Sequence, residues 1–209
     1  ISGYALEGQV YEALRCFEMM QNESISPDTI TFICILKACG KTKDIEMGLQ
    51  IHVQIVCKRF LFKDTVLGNA LVDMYVKCAL LDKAQEVLEG LPVRDVVSWN
   101  ILIAGCVQNQ QGNKTMSIYE QMQSEGISPD SITFTLILKT CSSIRHLEKG
   151  KEIHEKIMER RLLENDIVLG TALVDMYVKC GVLDRAHQLL QGLFARDSIC
   201  WNALIIGYA

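Results

Sequence analysis

Proline is close to absent from this chain, at three in 209 residues, and two of the three, Pro27 and Pro129, sit in identical Ser-Pro-Asp contexts. Proline removes a backbone donor and clashes with the preceding helical turn, so its scarcity leaves long stretches free to be helical and marks a few set breaks. No segment reaches about eighteen consecutive apolar residues, which excludes a membrane-spanning helix by length. No Cys-x-x-Cys pair occurs, so the usual spacing of a structural zinc site is missing. The nine cysteines are odd in number and spread through a chain that is not short, which argues against a disulfide framework. They are expected to be reduced, as in an intracellular compartment. Glycine-rich phosphate loops are absent, and neither end resembles a targeting sequence. Positive charge is not in excess either: 21 Lys and Arg face 25 Asp and Glu, a net charge of -4. Phosphate attraction supplies much of the affinity of basic nucleic-acid binders, so any such role here must rest on contacts aimed at the bases.

What the chain has in abundance is itself. Asp64-Thr-Val-Leu-Gly-Asn-Ala-Leu-Val-Asp-Met-Tyr-Val-Lys-Cys78 returns 102 residues later as Asp166-Ile-Val-Leu-Gly-Thr-Ala-Leu-Val-Asp-Met-Tyr-Val-Lys-Cys180. Trp99-Asn100 returns as Trp201-Asn202, Ser26-Pro27-Asp28 as Ser128-Pro129-Asp130, and Ile51-His52 as Ile153-His154. Cys39 and Cys78 recur as Cys141 and Cys180, which reads as small apolar packing residues on helices. Self-similarity at fixed period marks a solenoid that buries its core between neighbouring repeats.

Cutting before each recurrent aspartate divides the block into three unequal units. The chain becomes a partial unit 1–27, complete units 28–63, 64–94, 95–129, 130–165 and 166–196, and a partial unit 197–209; the complete ones hold 36, 31, 35, 36 and 31 residues. Each reads as two short helices. In 95–129, Val97, Trp99, Leu102, Ile103 and Cys106 form one apolar stripe at helical spacing. Gln110 to Asn113 break it, Met116, Ile118, Tyr119 and Met122 form a second, and Gly126 closes the unit. In 64–94 the first stripe runs Val66, Leu67, Leu71, Val72, Met74 and Tyr75. The expected fold is all-α: a right-handed superhelical solenoid of stacked helix-turn-helix repeats, with the first helices on the inner face. The chain starts and stops within a unit, so it is expected to be a piece of a longer protein, any transit peptide lying outside it.

Three motifs then carry a resemblance. Asp95-Val-Val-Ser-Trp-Asn-Ile-Leu-Ile-Ala-Gly105, Thr31-Phe-Ile-Cys-Ile-Leu-Lys-Ala-Cys39 with Gly48-Leu-Gln-Ile-His52, and Gly68-Asn-Ala-Leu-Val-Asp-Met-Tyr-Val-Lys-Cys78 resemble the P, L and S motifs of plant pentatricopeptide repeats. Order and lengths agree along the whole chain. Tetratricopeptide repeats differ in keeping a uniform period of about 34 residues and a tryptophan-leucine-glycine-tyrosine signature, both missing here. The resemblance makes 1–27 and 197–209 partial P units, 28–63 and 130–165 L units, 64–94 and 166–196 S units, and 95–129 a P unit.

By that resemblance the chain binds single-stranded RNA at roughly one base per unit, read by two or three side chains. The readers are the fifth residue after each boundary aspartate and the aspartate opening the next unit. The pairs are Ile33 with Asp64, Asn69 with Asp95, Asn100 with Asp130, Thr135 with Asp166 and Thr171 with Asp197; Asn202 and Asp28 each stand without a mate. A carboxylate only accepts, which suits the imino N–H of uracil and guanine. Asn with Asp implies U and Thr with Asp implies G, giving a target of the form U-U-x-G-pyrimidine, with Thr135 at the x. A correct pair is worth about 1–3 kcal/mol of discrimination, by analogy with direct readout of DNA. The aspartates also read as helix N-caps worth about 1 kcal/mol each, and both roles are open together. Two residues after each aspartate stand Ile30, Val66, Val97, Ile132, Val168 and Ile199. The resemblance makes them sandwich bases; their residue type alone makes them core.

Other signals lead nowhere. His52 and His154 recur before a helical stripe and read as packing or hydrogen-bonding residues, and no nucleophile pairs with His146 or His187. His154-Glu155 lacks the H-x-E and C-x-x-C of a zinc deaminase. Trp99 and Trp201 read as inter-helix packing, with base stacking as the alternative, and Lys77 and Lys179 as solvated helix ends, with phosphate as theirs. No catalytic residue, cofactor or metal is expected. The resemblance implies a specificity factor for C-to-U RNA editing in a plant organelle, the mitochondrion ahead of the chloroplast. A deaminase-like domain in cis or trans, with accessory editing proteins, would supply the chemistry. The alternative is a helical scaffold that binds proteins, which the acidic balance favours.

Overall fold

The computed structural model describes residues 10–62, 64–163, 166–192 and 198–208. They form twelve α-helices and one short 3-10 turn, with no strand among the described residues. The chain divides into two compact units, 1–105 and 106–209.

In the first unit, α1 (Val10–Asn22) precedes the hairpin α2 (Thr29–Thr42) and α3 (Ile45–Cys57), then the turn Phe60–Phe62, the hairpin α4 (Thr65–Lys77) and α5 (Leu81–Gly90), and most of α6 (Val96–Gln108). In the second, α7 (Gly112–Ser124) precedes α8 (Ser131–Ile144) with α9 (Leu147–Glu159), α10 (Ile167–Lys179) with α11 (Leu183–Gly192), and α12 (Ser198–Tyr208). First helices stack on first helices: α4 lies against α2, and α10 against both α8 and α12. The all-α fold of stacked helical hairpins expected from the periodicity is what the chain adopts.

The hairpins close where one residue turns left-handed. After α4, Ala79 (φ 60) donates to the Val76 carbonyl and Leu80 to the Tyr75 carbonyl, each at 2.9 Å. These paired bonds satisfy carbonyls the helix end would orphan. Gly181 (φ 77) and Val182 repeat the device after α10. Lys43 and Arg145 turn left-handed in the same way after α2 and α8.

The core is the set of buried faces between hairpins: Phe17, Phe32, Ile35, Leu36, Leu67, Leu71, Tyr75, Trp99 and Leu102 in the first unit, Tyr119, Phe134, Ile137, Leu138, Leu169, Leu173 and Tyr177 in the second. Close approach needs small residues at some crossings. A Cβ on Gly105 would meet Val76 Cγ1 at 2.5 Å, and Gly207 repeats that crossing against Val178. All nine cysteines are free thiols. Burial pushes Cys39 and Cys141 up to about 12, as inert packing residues should be. One sequence expectation needs correcting. Val66 and Val97, which open apolar stripes, are exposed. Val97 lies two residues, roughly 200° of helical turn, from the buried Trp99, so the two cannot share a face.

Candidate nucleic-acid interface

The boundary aspartates are caps. Asp28, Asp64, Asp130 and Asp166 have extended backbones immediately before their helices, the conformation that lets a short carboxylate fold back onto first-turn amides. Asp28 accepts from the Thr31 amide at 2.8 Å, Asp64 from Val66 at 2.9 Å, Asp95 from Ser98 at 2.8 Å, Asp130 from Thr133 at 2.8 Å and Asp166 from Leu169 at 2.9 Å. Each of these bonds lands on Oδ1. An ionised carboxylate has about four lone-pair sites on two oxygens, so capping does not exhaust it. The Thr31 amide and hydroxyl hold the Asp28 carboxyl below its usual value. Burial pulls Asp95 upward, but the Ser98 amide and hydroxyl with the Asn69 side chain outweigh it and leave Asp95 lowered too. Both are therefore ionised acceptors at neutral pH. Asp197 lies outside the described residues.

The fifth-place residues divide by environment. Asn69, half-buried, is brought to Asp95 by a third residue: Ser98 Oγ donates to Asn69 Oδ1 at 2.6 Å. Asp95 takes a hydrogen bond from the Asn69 side chain, for which only Nδ2 can be the donor. Thr171, also half-buried, donates its hydroxyl to the Ile167 carbonyl at 2.8 Å and lies 3.0 Å from Cys200 Sγ. Thr135, only 8% exposed, donates to its own helix at Ser131 O, 2.8 Å away. Asn100 is nearly enclosed at 7% exposure, Ile33 is half-buried, and Asn202 is exposed.

The second-place residues behave as one class. Ile30, Val66, Val97, Ile132, Val168 and Ile199 are each between 51 and 64% exposed, three in each compact unit. A core role is excluded for all of them. At the capped starts of α2, α4, α6, α8 and α10, branched apolar side chains held out beside a carboxylate form a surface suited to a flat apolar face with polar edges.

The remaining candidates settle into structural places. Trp99 is fully buried, its indole nitrogen without a hydrogen-bond partner, and so cannot stack on a ligand; Trp201 is 42% exposed. His52 Nδ1 lies 2.8 Å from Tyr75 Oη, and His154 repeats this with Tyr177 at 2.8 Å. Burial first, then Lys83 and Arg185 respectively, lower the two histidines, which are neutral links between helices. His146 caps α9 through the Lys149 amide. Lys77 pairs with Asp73 at 2.6 Å and Lys179 with Asp175 at 2.8 Å, one helical turn apart. The residues that the spacing argument missed are Ser98 and Cys200. The signal was present in the aligned units, since the third place after the aspartate is Thr31, Leu67, Ser98, Thr133, Leu169 and Cys200.

The chain is similar to known proteins in sequence and in fold. The PPR repeat family matches residues 1–41 and 94–143. Among similar sequences, a mitochondrial pentatricopeptide repeat-containing protein of Arabidopsis thaliana is 34% identical over the whole chain, which covers 20% of it. A chloroplastic pentatricopeptide repeat-containing protein of the same plant is 33% identical, again over the whole chain and 34% of its own length. The chain therefore spans a fifth to a third of these relatives. Among solved structures, the pentatricopeptide repeat protein PPR10 from maize superposes with a TM-score of 0.79 at 17% identity, over 98% of this chain and 30% of that one. PPR10 in complex with an 18-nt psaJ RNA element gives a TM-score of 0.75 at the same identity and coverage. At that identity the likeness is one of fold.

Proposed function

The chain belongs to the pentatricopeptide repeat family, and on that premise we propose that it binds single-stranded RNA and selects bases through the fifth-place residues and the boundary aspartates. The observation that carries this is the uniform exposure of Ile30, Val66, Val97, Ile132, Val168 and Ile199, six branched apolar side chains held in water at the same place in successive units. Bases have apolar faces and polar edges, and such side chains can take the faces while the pairs beside them take the edges. The solved complex of a protein of the same fold with RNA is in line with this reading.

The polarity of the pairs supports the choice of base. Asn69 spends its oxygen on Ser98 and one amide hydrogen on Asp95, leaving an N–H to give and a carboxylate to accept. Uracil offers the complement, a carbonyl oxygen beside an imino N–H. Thr171 has committed its only hydroxyl proton to the Ile167 carbonyl, so it meets a base as an acceptor. Guanine, with an imino N–H beside an amino group, offers two donors to two acceptors. Ile33 has no polar group to offer, and Thr135, though bonded to its own helix as Thr171 is, is only 8% exposed, so the L units read weakly in this scheme.

We assign the unit boundaries 28–63, 64–94, 95–129, 130–165 and 166–196 to alternating L, S and P units, and the array to choosing sites of C-to-U editing in a plant organelle. The deaminase chemistry would come from another domain or protein. The test is binding to oligonucleotides carrying U-U-x-G-pyrimidine, with Asn69→Thr and Thr171→Asn. Each exchange should move the preferred base at its own place, U to G and G to U, by about 1–3 kcal/mol, a factor of roughly 5 to 150. If neither exchange moves it, the base assignments are wrong. The net charge of -4 and the intrahelical pairing of Lys77 and Lys179 favour a second reading, a protein-binding scaffold. Absence of RNA binding at low salt would establish that reading instead.

A further inference from the structure

Ser98 is fully buried, yet its hydroxyl sits between two side chains that belong to the preceding repeat's reading pair. Its Oγ is 2.6 Å from Asn69 Oδ1 and 2.8 Å from Asp95 Oδ1. A hydroxyl has one proton, which these two acceptors must share unequally. Asp95 already takes the Ser98 amide at Oδ1 and a hydrogen bond from the Asn69 side chain, so the shorter contact, to Asn69 Oδ1, is the main branch of the hydroxyl's bond and Asp95 the longer one. The three groups then form a closed ring: Ser98 O–H to Asn69 Oδ1, Asn69 Nδ2–H to Asp95, and Ser98 N–H to Asp95.

We propose that the third residue after a boundary aspartate, Ser98 here and Cys200 in the second unit, is a positioning residue that sets the base selectivity of the preceding repeat's fifth residue. The proposal rests on the reading of Asn69 with Asp95 as a base-selecting pair. An asparagine amide can turn over, exchanging its donor and acceptor ends. Turned over, Asn69 would offer an oxygen to the amino group of cytosine as readily as its present form offers an N–H to the carbonyl of uracil. Ser98 and Asp95 together oppose that exchange, because it would set the Asn69 oxygen against the Asp95 carboxylate and take from the Ser98 hydroxyl its shorter acceptor.

Cys200, fully buried and 102 residues on, faces Thr171 at 3.0 Å. The Thr171 proton is already on the Ile167 carbonyl, so the thiol S–H is the donor and Thr171 keeps an acceptor toward the base. Asn with Ser and Thr with Cys thus change together between the two copies. At Asp64 and Asp166 the third place holds Leu67 and Leu169, which are buried and carry no proton to give. The pairs there, Ile33 with Asp64 and Thr135 with Asp166, are the ones left without this support.

The test measures the U-to-C preference at two neighbouring bases, those assigned to Asn69 and to Asn100, in the intact array. Ser98→Ala should lower the preference at the Asn69 base by roughly threefold to tenfold, the effect of one lost hydrogen bond, and leave the Asn100 base unchanged. Ser98→Thr, which supplies the hydroxyl present at Thr31 and Thr133, should restore it. Ser98→Cys is a second probe of a residue the repeat already accepts at 200, and its weaker donor should give an intermediate preference. An unchanged preference in Ser98→Ala overturns the proposal while the base-reading pair stands. An equal loss at both bases, or a loss that Thr does not restore, makes Ser98 merely structural and also overturns it. No U-to-C preference in the unaltered array overturns the assignment of Asn69 with Asp95, and the proposal falls with it.

Discussion

A single valine can separate surface from core in this chain. Val66 is exposed, while its neighbour Leu67 is fully buried, although the two are chemically alike. Replacing Val66 or Val168 with Ser should change thermal stability by less than about 0.5 kcal/mol, as at other surface sites, and should weaken RNA binding measurably. A melting-temperature loss typical of a core truncation, with RNA affinity intact, would rule out a ligand-facing role. The aspartates at this scale were legible, because an acidic residue ahead of an apolar helical run is a local signal. The polarity of Asn69 was not legible. It depends on Ser98, a residue 29 positions away that folding brings within 2.6 Å.

At the scale of helices, small residues decide how closely neighbours approach. Gly48 on α3 faces the Met74 side chain, and a Cβ there would come within 2.7 Å of its sulfur. Methionine is unbranched and can move aside. Gly105 on α6 faces Val76, whose branched side chain has few alternatives. Gly105→Ala should therefore cost about 1–3 kcal/mol by overpacking, and Gly48→Ala distinctly less. Urea denaturation of the two variants compares them directly, and an equal loss would contradict this account of the crossing. The two-helix units followed from hydrophobic period and turn chemistry. The crossings did not, since the partner facing each glycine comes from another helix. Gly207 against Val178 shows that the same solution is used twice.

For the chain as a whole, charge sets the terms of binding. With a net charge of -4, and with Lys77 and Lys179 held by Asp73 and Asp175, neither the overall charge nor these two recurrent lysines favour gathering phosphates. Single-stranded binding that releases counterions has a log–log salt slope of about 0.7 per phosphate contact. The proposed binding should therefore lose affinity with a slope shallower than about 2, readable by titration between low and moderate salt. A steep slope would mean that a basic surface, and not the base-directed face, supplies the affinity.

The sequence by itself determined the all-α hairpins, their unequal lengths and their capped starts, because each depends on interactions within one helical turn or one repeat. It also carried the family resemblance, in motifs whose order is written along the chain. Only the tertiary structure decided which apolar residues stay outside, why Trp99 is closed off while Val97 beside it is open, and which way Asn69 presents its amide. Those outcomes depend on neighbouring helices that cover one face and leave another bare. Such neighbours are distant in sequence, and no local pattern specifies what they will cover.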